Sequence, residues 1–329
     1  MLLTTCYYDD FPCVECAPLS DSAERTFKDM LKILGIQASE DSDKDKPFDQ
    51  IFEPLGVKVD LSDSINGRIV VAPKPERVED TRNIVTGILD RGAMRGSEAA
   101  SLAQKVRFLR EAHFGRCGAR PLRELAMHAS APRAVPISDS LRSSLVWLNG
   151  YLGRAKPRLV RTDINASPVV VFTDGANEEK VTVGGVLLDG ARSPEYFSEV
   201  VPDSVVEHWR SQGGQQVIGQ AELLPVLVAA AVWQDIIASR YTLWFIDQDA
   251  ARRGLTKGYS SAVRSGTLID STAELLADAG TIPWFSRVGT ASNLADGPSR
   301  LDVGQLLRWC PEARRRRVDW HSLPIGGVI

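Results

Sequence analysis

Two short, largely apolar runs in the second half of the chain, Val169–Thr173 and Thr242–Ile246, each end on an aspartate, Asp174 and Asp247. Runs this short, rich in β-branched and aromatic residues, suit strands buried on both faces rather than helices. The segments around them fall into order. Val181–Leu188 and Tyr196–Val201 complete a three-stranded meander with the first run. Ala221–Ser239 is a long apolar helix, Thr267–Ala279 an amphipathic one, Ile282–Arg287 a fifth strand and Asn293–Leu301 a last helix. The order βββαβαβα predicts an α/β fold, a five-stranded mixed sheet with flanking helices. If the first and fourth strands are adjacent and parallel, Asp174 and Asp247 leave the sheet side by side.

Two further carboxylates stand at telling places. Glu222 lies near the start of the apolar helix, in Gly219-Gln220-Ala221-Glu222-Leu223-Leu224, and Asp296 opens the last helix, in Asn293-Leu294-Ala295-Asp296-Gly297-Pro298-Ser299-Arg300. One aspartate at a strand end is ordinarily an exposed turn or cap residue. Four carboxylates brought together repel, and cannot all stay ionised unless a cation neutralises them. Hard oxygen ligands favour Mg²⁺ or Mn²⁺, and such a cluster can hold two ions about 4 Å apart, a pair suited to hydrolysing a phosphodiester. Asp249 competes with Asp247 as a ligand but reads as a helix-start residue. Pro225, soon after Glu222, requires the helix to begin close to Gln220.

Thr173-Asp174-Gly175, Glu222, Asp247 and the Asn293–Arg300 segment together resemble the ribonuclease H domain of retroelement reverse transcriptases, over roughly residues 169–301. The resemblance implies a ribonuclease H-like sheet and a two-metal endonuclease cutting the RNA strand of RNA·DNA hybrids. It implies Asp174, Glu222, Asp247 and Asp296 as metal ligands and catalytic residues. One departure is visible. Many members carry a histidine in the loop before the last aspartate, whereas Arg287–Ser292 here reads Arg-Val-Gly-Thr-Ala-Ser. Slower turnover or a different proton shuttle would follow.

In the first half, Met1–Tyr8 reads as a strand running into Asp9-Asp10, and nothing precedes it for pairing, so the start looks like a cut through a larger fold. Ser20 or Asp21 caps a helix to about Leu34, and Ile51–Leu61 with Arg68–Ala72 reads as a hairpin around Asn66-Gly67. Helical patterns follow at Pro75–Leu89 and Ser97–Glu111. Tyr7-Tyr8-Asp9-Asp10, Phe52-Glu53-Pro54-Leu55-Gly56-Val57 and these helices resemble, in order, a truncated α+β palm, thumb and connection of a reverse transcriptase. The resemblance implies Asp9 and Asp10 as part of a second metal site whose remaining residues lie upstream in the family. No polymerase activity is therefore expected of this chain alone, though a further polymerase chain or segment would complete the palm. Primer extension on an RNA template measures this.

Lys105, Arg107 and Arg110, continuing through Arg116, Arg120 and Arg123, can track a nucleic-acid backbone or be ordinary solvated charge. The predicted plan is a polymerase-like segment over 1–156, a Pro-punctuated linker over 157–168, a ribonuclease H-like domain over 169–305 and a tail over 306–329 in which Arg314–Arg317 is solvated. Trp209, Trp233 and Trp244 are expected in the core.

The 39 basic and 42 acidic residues leave a net charge of −3, which argues against a wholly basic surface but not against a local basic groove. The longest nearly unbroken apolar run, Leu223–Trp233, is about half of the ~20 residues a spanning helix needs, and no secretory pattern opens the chain. Five cysteines fit a reducing compartment, and Cys13-Val14-Glu15-Cys16 lacks a second pair for zinc. The expected location is intracellular, cytoplasmic or nuclear, without membrane contact. Two other readings stay open: a catalytically inactive remnant that binds nucleic acid, and another two-metal nuclease of the same fold.

Overall fold

A computed structural model describes residues 3–4, 11–37, 46–112, 117–162, 167–211, 217–260 and 263–325. The predicted N-terminal helix is present as α1, Ser20–Ile33. The predicted hairpin is β1, Val57–Asp60, antiparallel to β2, Arg68–Pro73, with Gly67 left-handed at φ 72° in the turn between them. Ile51–Phe52 pairs on the outer edge of β1. Pro75 at the first position and left-handed Gly92 at the end fix α2, Pro75–Arg91. It is followed by α3, Gly96–Ala112, α4, Ala119–His128, and α5, Asp139–Arg154, whose cap residue Ser138 accepts from the Leu141 N–H. Val85, Ile88, Leu102, Val106, Leu125, Leu141, Leu145 and Leu148 close a helical core.

The linker expected over 157–168 is in part a strand. β3, Arg158–Arg161, pairs antiparallel with β2, so the chain stays in the first sheet through Arg161. Pro157 and the arginines at either end of Leu159-Val160 disguise it as a loop.

The second unit is built on a sheet of β4, Val169–Asn177, β5, Val181–Leu188, β6, Glu195–Val200, β7, Tyr241–Ile246, and β8, Ile282–Arg287. A two-residue edge strand, β9, Arg314–Arg315, makes a sixth, giving the order β8-β7-β4-β5-β6-β9. β7 runs parallel to both β4 and β8, while β4, β5 and β6 form the antiparallel meander. The register pairs Ile246 with Thr173, so the aspartate after each stands beside the other.

Arg314, Arg315 and Arg317 are exposed, as expected of the tail, but β9 ties this stretch to the sheet. Arg315 pairs with Glu199, Arg316 with Glu195 at 2.5 Å and with Asp235, and Leu323 and Ile325 join the core. The pairing of Arg315 and Arg316 shows only once the carboxylates of Glu199, Glu195 and Asp235, distant in sequence, are placed opposite them.

One face of the sheet is covered by α7, Ile218–Val232, apolar all round because it lies between the sheet and a further helix. The single helix expected over 221–239 breaks at Trp233, and Gln234–Ile237 forms a separate turn. Trp233 and Trp244 are fully buried and Trp209 nearly so, as expected. The sequence reading gave no helix for α5 or for α6, Asp203–Ser211, and of α8, Asp249–Lys257, it marked only the start at Asp249. The covering helix beyond α7 is α9, Val263–Asp278.

The outer side of α9 packs against the first unit, with Ala273 and Ala277 on its helical core. Arg120 meets Asp270 at 3.1 Å with both side chains largely buried, Arg154 pairs with Glu274, and Arg123 donates to the Ser260 carbonyl. Arg120 and Arg123 are thus engaged at this junction, which corrects their proposed place along a nucleic-acid backbone. Burial pushes the Asp270 carboxyl up to about 6 even with Arg120 beside it, so desolvation outweighs the attraction. Removing the guanidinium by Arg120→Ala should cost about 3 kcal/mol, as for other buried pairs broken on one side. The cost should be larger at pH 8 than at pH 5, because a carboxyl already protonated needs no counter-charge. Denaturant melts at the two pH values measure it, and equal costs would remove Arg120 as the counter-charge.

No helix among the described residues is long and apolar enough to cross a membrane.

Candidate active site

Close backbone approach on both faces of β4 and β5 builds the site. A Cβ on Gly175 would lie 2.0 Å from the Ala221 carbonyl oxygen, so β4 runs directly against the first turns of α7. Pro225, four residues on, has no N–H to offer that carbonyl, and the glycine backbone occupies the space beside it. The helix begins at Ile218 rather than at Gln220, which leaves the proline inside its second turn. The next side chain, Glu222, is delivered over the end of β4.

On the opposite face, Gly184 pairs with Asp174 across the ladder, and a Cβ there would fall 2.2 Å from the Ser299 nitrogen. This admits the short helix α10, Asp296–Ser299, onto the sheet. Thr182 Oγ1 donates to the Ser299 carbonyl at 2.5 Å, and Ser198 Oγ to the Pro298 carbonyl at 2.7 Å. The Asn293 amide donates to the Thr173 carbonyl. The segment Asn293–Arg300 is therefore clipped to three strands, shorter as a helix than the sequence suggested but in the expected place.

One carboxylate oxygen each from Asp174, Glu222 and Asp247 lies within 4.8 Å of the other two. This is the one such group of potential metal ligands among the described residues. Each member is differently held. Ser299 Oγ donates to Asp174 Oδ2 at 2.5 Å, and Thr290 Oγ1 donates to Asp247 Oδ2 at 3.2 Å. Glu222 Oε2 is buried and has no hydrogen-bond partner. Asp296 stands outside the group of three, although its charge acts on Asp174. Its carboxylate is met by Arg300 Nε at 3.4 Å, and Arg300 also pairs with Glu178.

The electrostatics follow from the packing. Burial pushes the Asp174 carboxyl up to about 7, with the charges of Asp247 and Asp296 adding and the Ser299 hydroxyl opposing. Burial likewise pushes Glu222 up to about 8, helped by Asp174 and Asp247. An all-oxygen donor set, an orphaned buried carboxylate oxygen and negative charge without a cationic partner fit a hard divalent cation.

The other sequence-derived residues separate from this centre. Asp9, Asp10 and Arg116 lie outside the described residues. Lys105, Arg107 and Arg110 sit on α3 in the first unit, where Lys105 is engaged with Asp80 at 2.6 Å and Arg107 is exposed. Asp249 is the first residue of α8, and a hydrogen bond from Arg252 leads the interactions that hold its carboxyl below the usual range. That agrees with its reading as a helix-start residue. The sequence reading passed over Ser299 and Thr290, whose hydroxyls orient two of the carboxylates. Ser299 was inside the quoted segment, and Thr290 lies in the loop that lacks the family's histidine.

No family model and no curated protein matches the chain. Among solved structures, the ribonuclease H1 of the halophilic archaeon Halobacterium salinarum NRC-1 is 18% identical with a TM-score of 0.32, over 42% of this chain and 99% of its own. The N-terminal RNase H domain of rv2228c from Mycobacterium tuberculosis, solved as a fusion with maltose binding protein, is 13% identical with a TM-score of 0.29, over 43% and 99%. Likenesses at this level carry no conclusion about chemistry. The mixed sheet with flanking helices is the α/β class expected from the sequence.

Proposed function

We propose that the second unit is a metal-dependent endonuclease that cuts the RNA strand of RNA·DNA hybrids, with Asp174, Glu222, Asp247 and Asp296 as its catalytic carboxylates. The convergence of Asp174, Glu222 and Asp247 around a buried, unpartnered carboxylate oxygen carries this reading. These three, with Asp296 at their side, would hold two Mg²⁺ or Mn²⁺ ions, which when bound activate water and polarise the phosphodiester. The chain's own part is positional. Ser299 and Thr290 each donate a hydroxyl to one oxygen of an aspartate and so hold its carboxylate in place. Arg300 steadies Asp296. Selectivity for hybrid over duplex DNA would come from groove shape and 2′-hydroxyl contacts rather than base reading.

In the same proposal, the sequence resemblance of residues 1–156 to a polymerase tail supports reading this nuclease as part of a retroelement reverse transcriptase. Asp9 and Asp10 would then be part of a polymerase metal site.

The test is an end-labelled cleavage assay on hybrid, single-stranded RNA and duplex DNA, with Mg²⁺ or Mn²⁺ and with chelator. Cutting confined to the RNA of the hybrid and abolished by chelation is expected. Equal cutting of duplex DNA would point to another nuclease of this fold, and binding without cutting to a non-catalytic role.

The site also predicts a pH signature in stability. Asp174 and Glu222 bind protons more tightly folded than unfolded, so without metal their contribution to stability falls as pH rises through about 4 to 8. A cation replaces those protons. Mg²⁺ should therefore raise the melting temperature clearly at pH 8 and little at pH 5. An equal shift at both would place the binding elsewhere.

A further inference from the structure

Beside the carboxylates lies a concentration of positive charge that they do not use. Asp249 opens α8 two residues after Asp247, and three arginines converge on it. Arg252 gives it both Nε and Nη2, at 3.2 and 3.1 Å on one oxygen. Arg253 and Arg287 approach its other oxygen only to 3.6 Å, beyond hydrogen-bond reach, and their side chains are 66% and 65% exposed. One carboxylate thus serves three guanidinium groups and leaves a local excess of two positive charges.

The position of this patch is fixed from two sides. Arg253 stands one turn on from Asp249 in the helix that leaves β7 beyond Asp247. Arg287 ends β8, three residues before Thr290, whose hydroxyl is bonded to Asp247. Arg253 is on the helix that follows β7 and Arg287 ends β8, and because β7 and β8 are parallel neighbours in the sheet both arginines stand on the side of the carboxylate centre. A guanidinium held by one carboxylate yet presenting other N–H groups to water is pre-oriented for a second anion.

We propose that Arg253 and Arg287, organised by Asp249, form a binding site for backbone phosphates of the nucleic acid, next to the bond that is cut. The proposal rests on the nuclease reading for its ligand class. Phosphate contacts of this kind add affinity and register without reading sequence. The exposure of the two arginines, against the partial burial of Arg252, separates binding groups from the one that ties down the cap.

The experiment is equilibrium binding of a fluorescent RNA·DNA hybrid to the full chain in chelator, so that no cutting intervenes, over a range of salt. Arg253→Ala with Arg287→Ala should weaken binding at least tenfold in low salt and reduce the slope of log affinity against log salt by about 1.8, the share of two phosphate contacts. The lysine pair, Arg253→Lys with Arg287→Lys, keeps the charge and should keep most of the slope, which guards against a folding artefact. Asp249→Asn should tighten binding in low salt. An unchanged slope in the alanine pair, or a wild-type chain that binds no hybrid, overturns the site. A wild-type chain that binds with this slope but cuts nothing in Mg²⁺ leaves the site standing and removes the nuclease reading.

Discussion

An Asp174→Asn chain should lose hybrid cleavage by about a thousandfold or more, roughly 4 kcal/mol of transition-state stabilisation, while melting above the wild type when no divalent cation is present. The two effects share one cause. Burial and the neighbouring carboxylates push the Asp174 carboxyl up to about 7, so at pH 8 the folded chain carries a charge that it disfavours. An amide has nearly the same shape, still accepts from Ser299 Oγ, and brings no charge. The substitution relieves the repulsion and removes an anionic ligand together. Cleavage rates and melting curves at pH 8 in chelator check it. Undiminished cleavage would sink the site, and a lower melting temperature would make Asp174 a structural residue.

The second large effect is steric. Gly175→Ala should abolish the stable second unit, costing more than about 4 kcal/mol, near the top of what single substitutions do. The new methyl would meet the Ala221 carbonyl oxygen at 2.0 Å, its carbon at 2.6 Å and the Glu222 nitrogen at 3.2 Å. All three are backbone atoms, so no side-chain rotation relieves the clash. Either β4 and α7 part, or Glu222 moves off the centre. Gly190, with nothing within 4 Å of an added Cβ, is the control, and Gly190→Ala should change stability by no more than about 0.5 kcal/mol. Circular-dichroism melts of both variants decide it. A Gly175→Ala chain that melts like the wild type would mean that the strand and helix are not in contact.

Particular elements show what the sequence could reveal. β5 and β8 were read to the residue, because short apolar strands bounded by turn residues need no tertiary information. The convergence of Asp174, Glu222 and Asp247 was legible for the same reason, since each goes with an element whose type was plain, although β4 runs on to Asn177 and Asp174 lies within it rather than at its end. What failed depends on partners distant in sequence. β3 looks like a proline-bounded loop until its pairing with β2, some ninety residues earlier, is known. Arg120 and Arg123 look like a phosphate track until α9 is placed against them. Ser299 and Thr290 carried no signal as hydroxyls, since serine and threonine occur throughout the chain and only geometry selects these two. The arginines around Asp249 were missed likewise, because Arg252-Arg253 and Arg287 are far apart in the sequence and meet only across β7 and β8.

The position of α9 bears on how this protein could be divided. Its inner side belongs to the core under the sheet, while Ala273, Ala277, Asp270 and Glu274 belong to the contact with the preceding helices. Excising the second unit after β3 would therefore not cut along a natural seam. It would expose an alanine ledge to water and deprive an otherwise buried carboxylate of its arginine. An isolated second unit would need those positions recoloured from greasy to polar before it could stand alone.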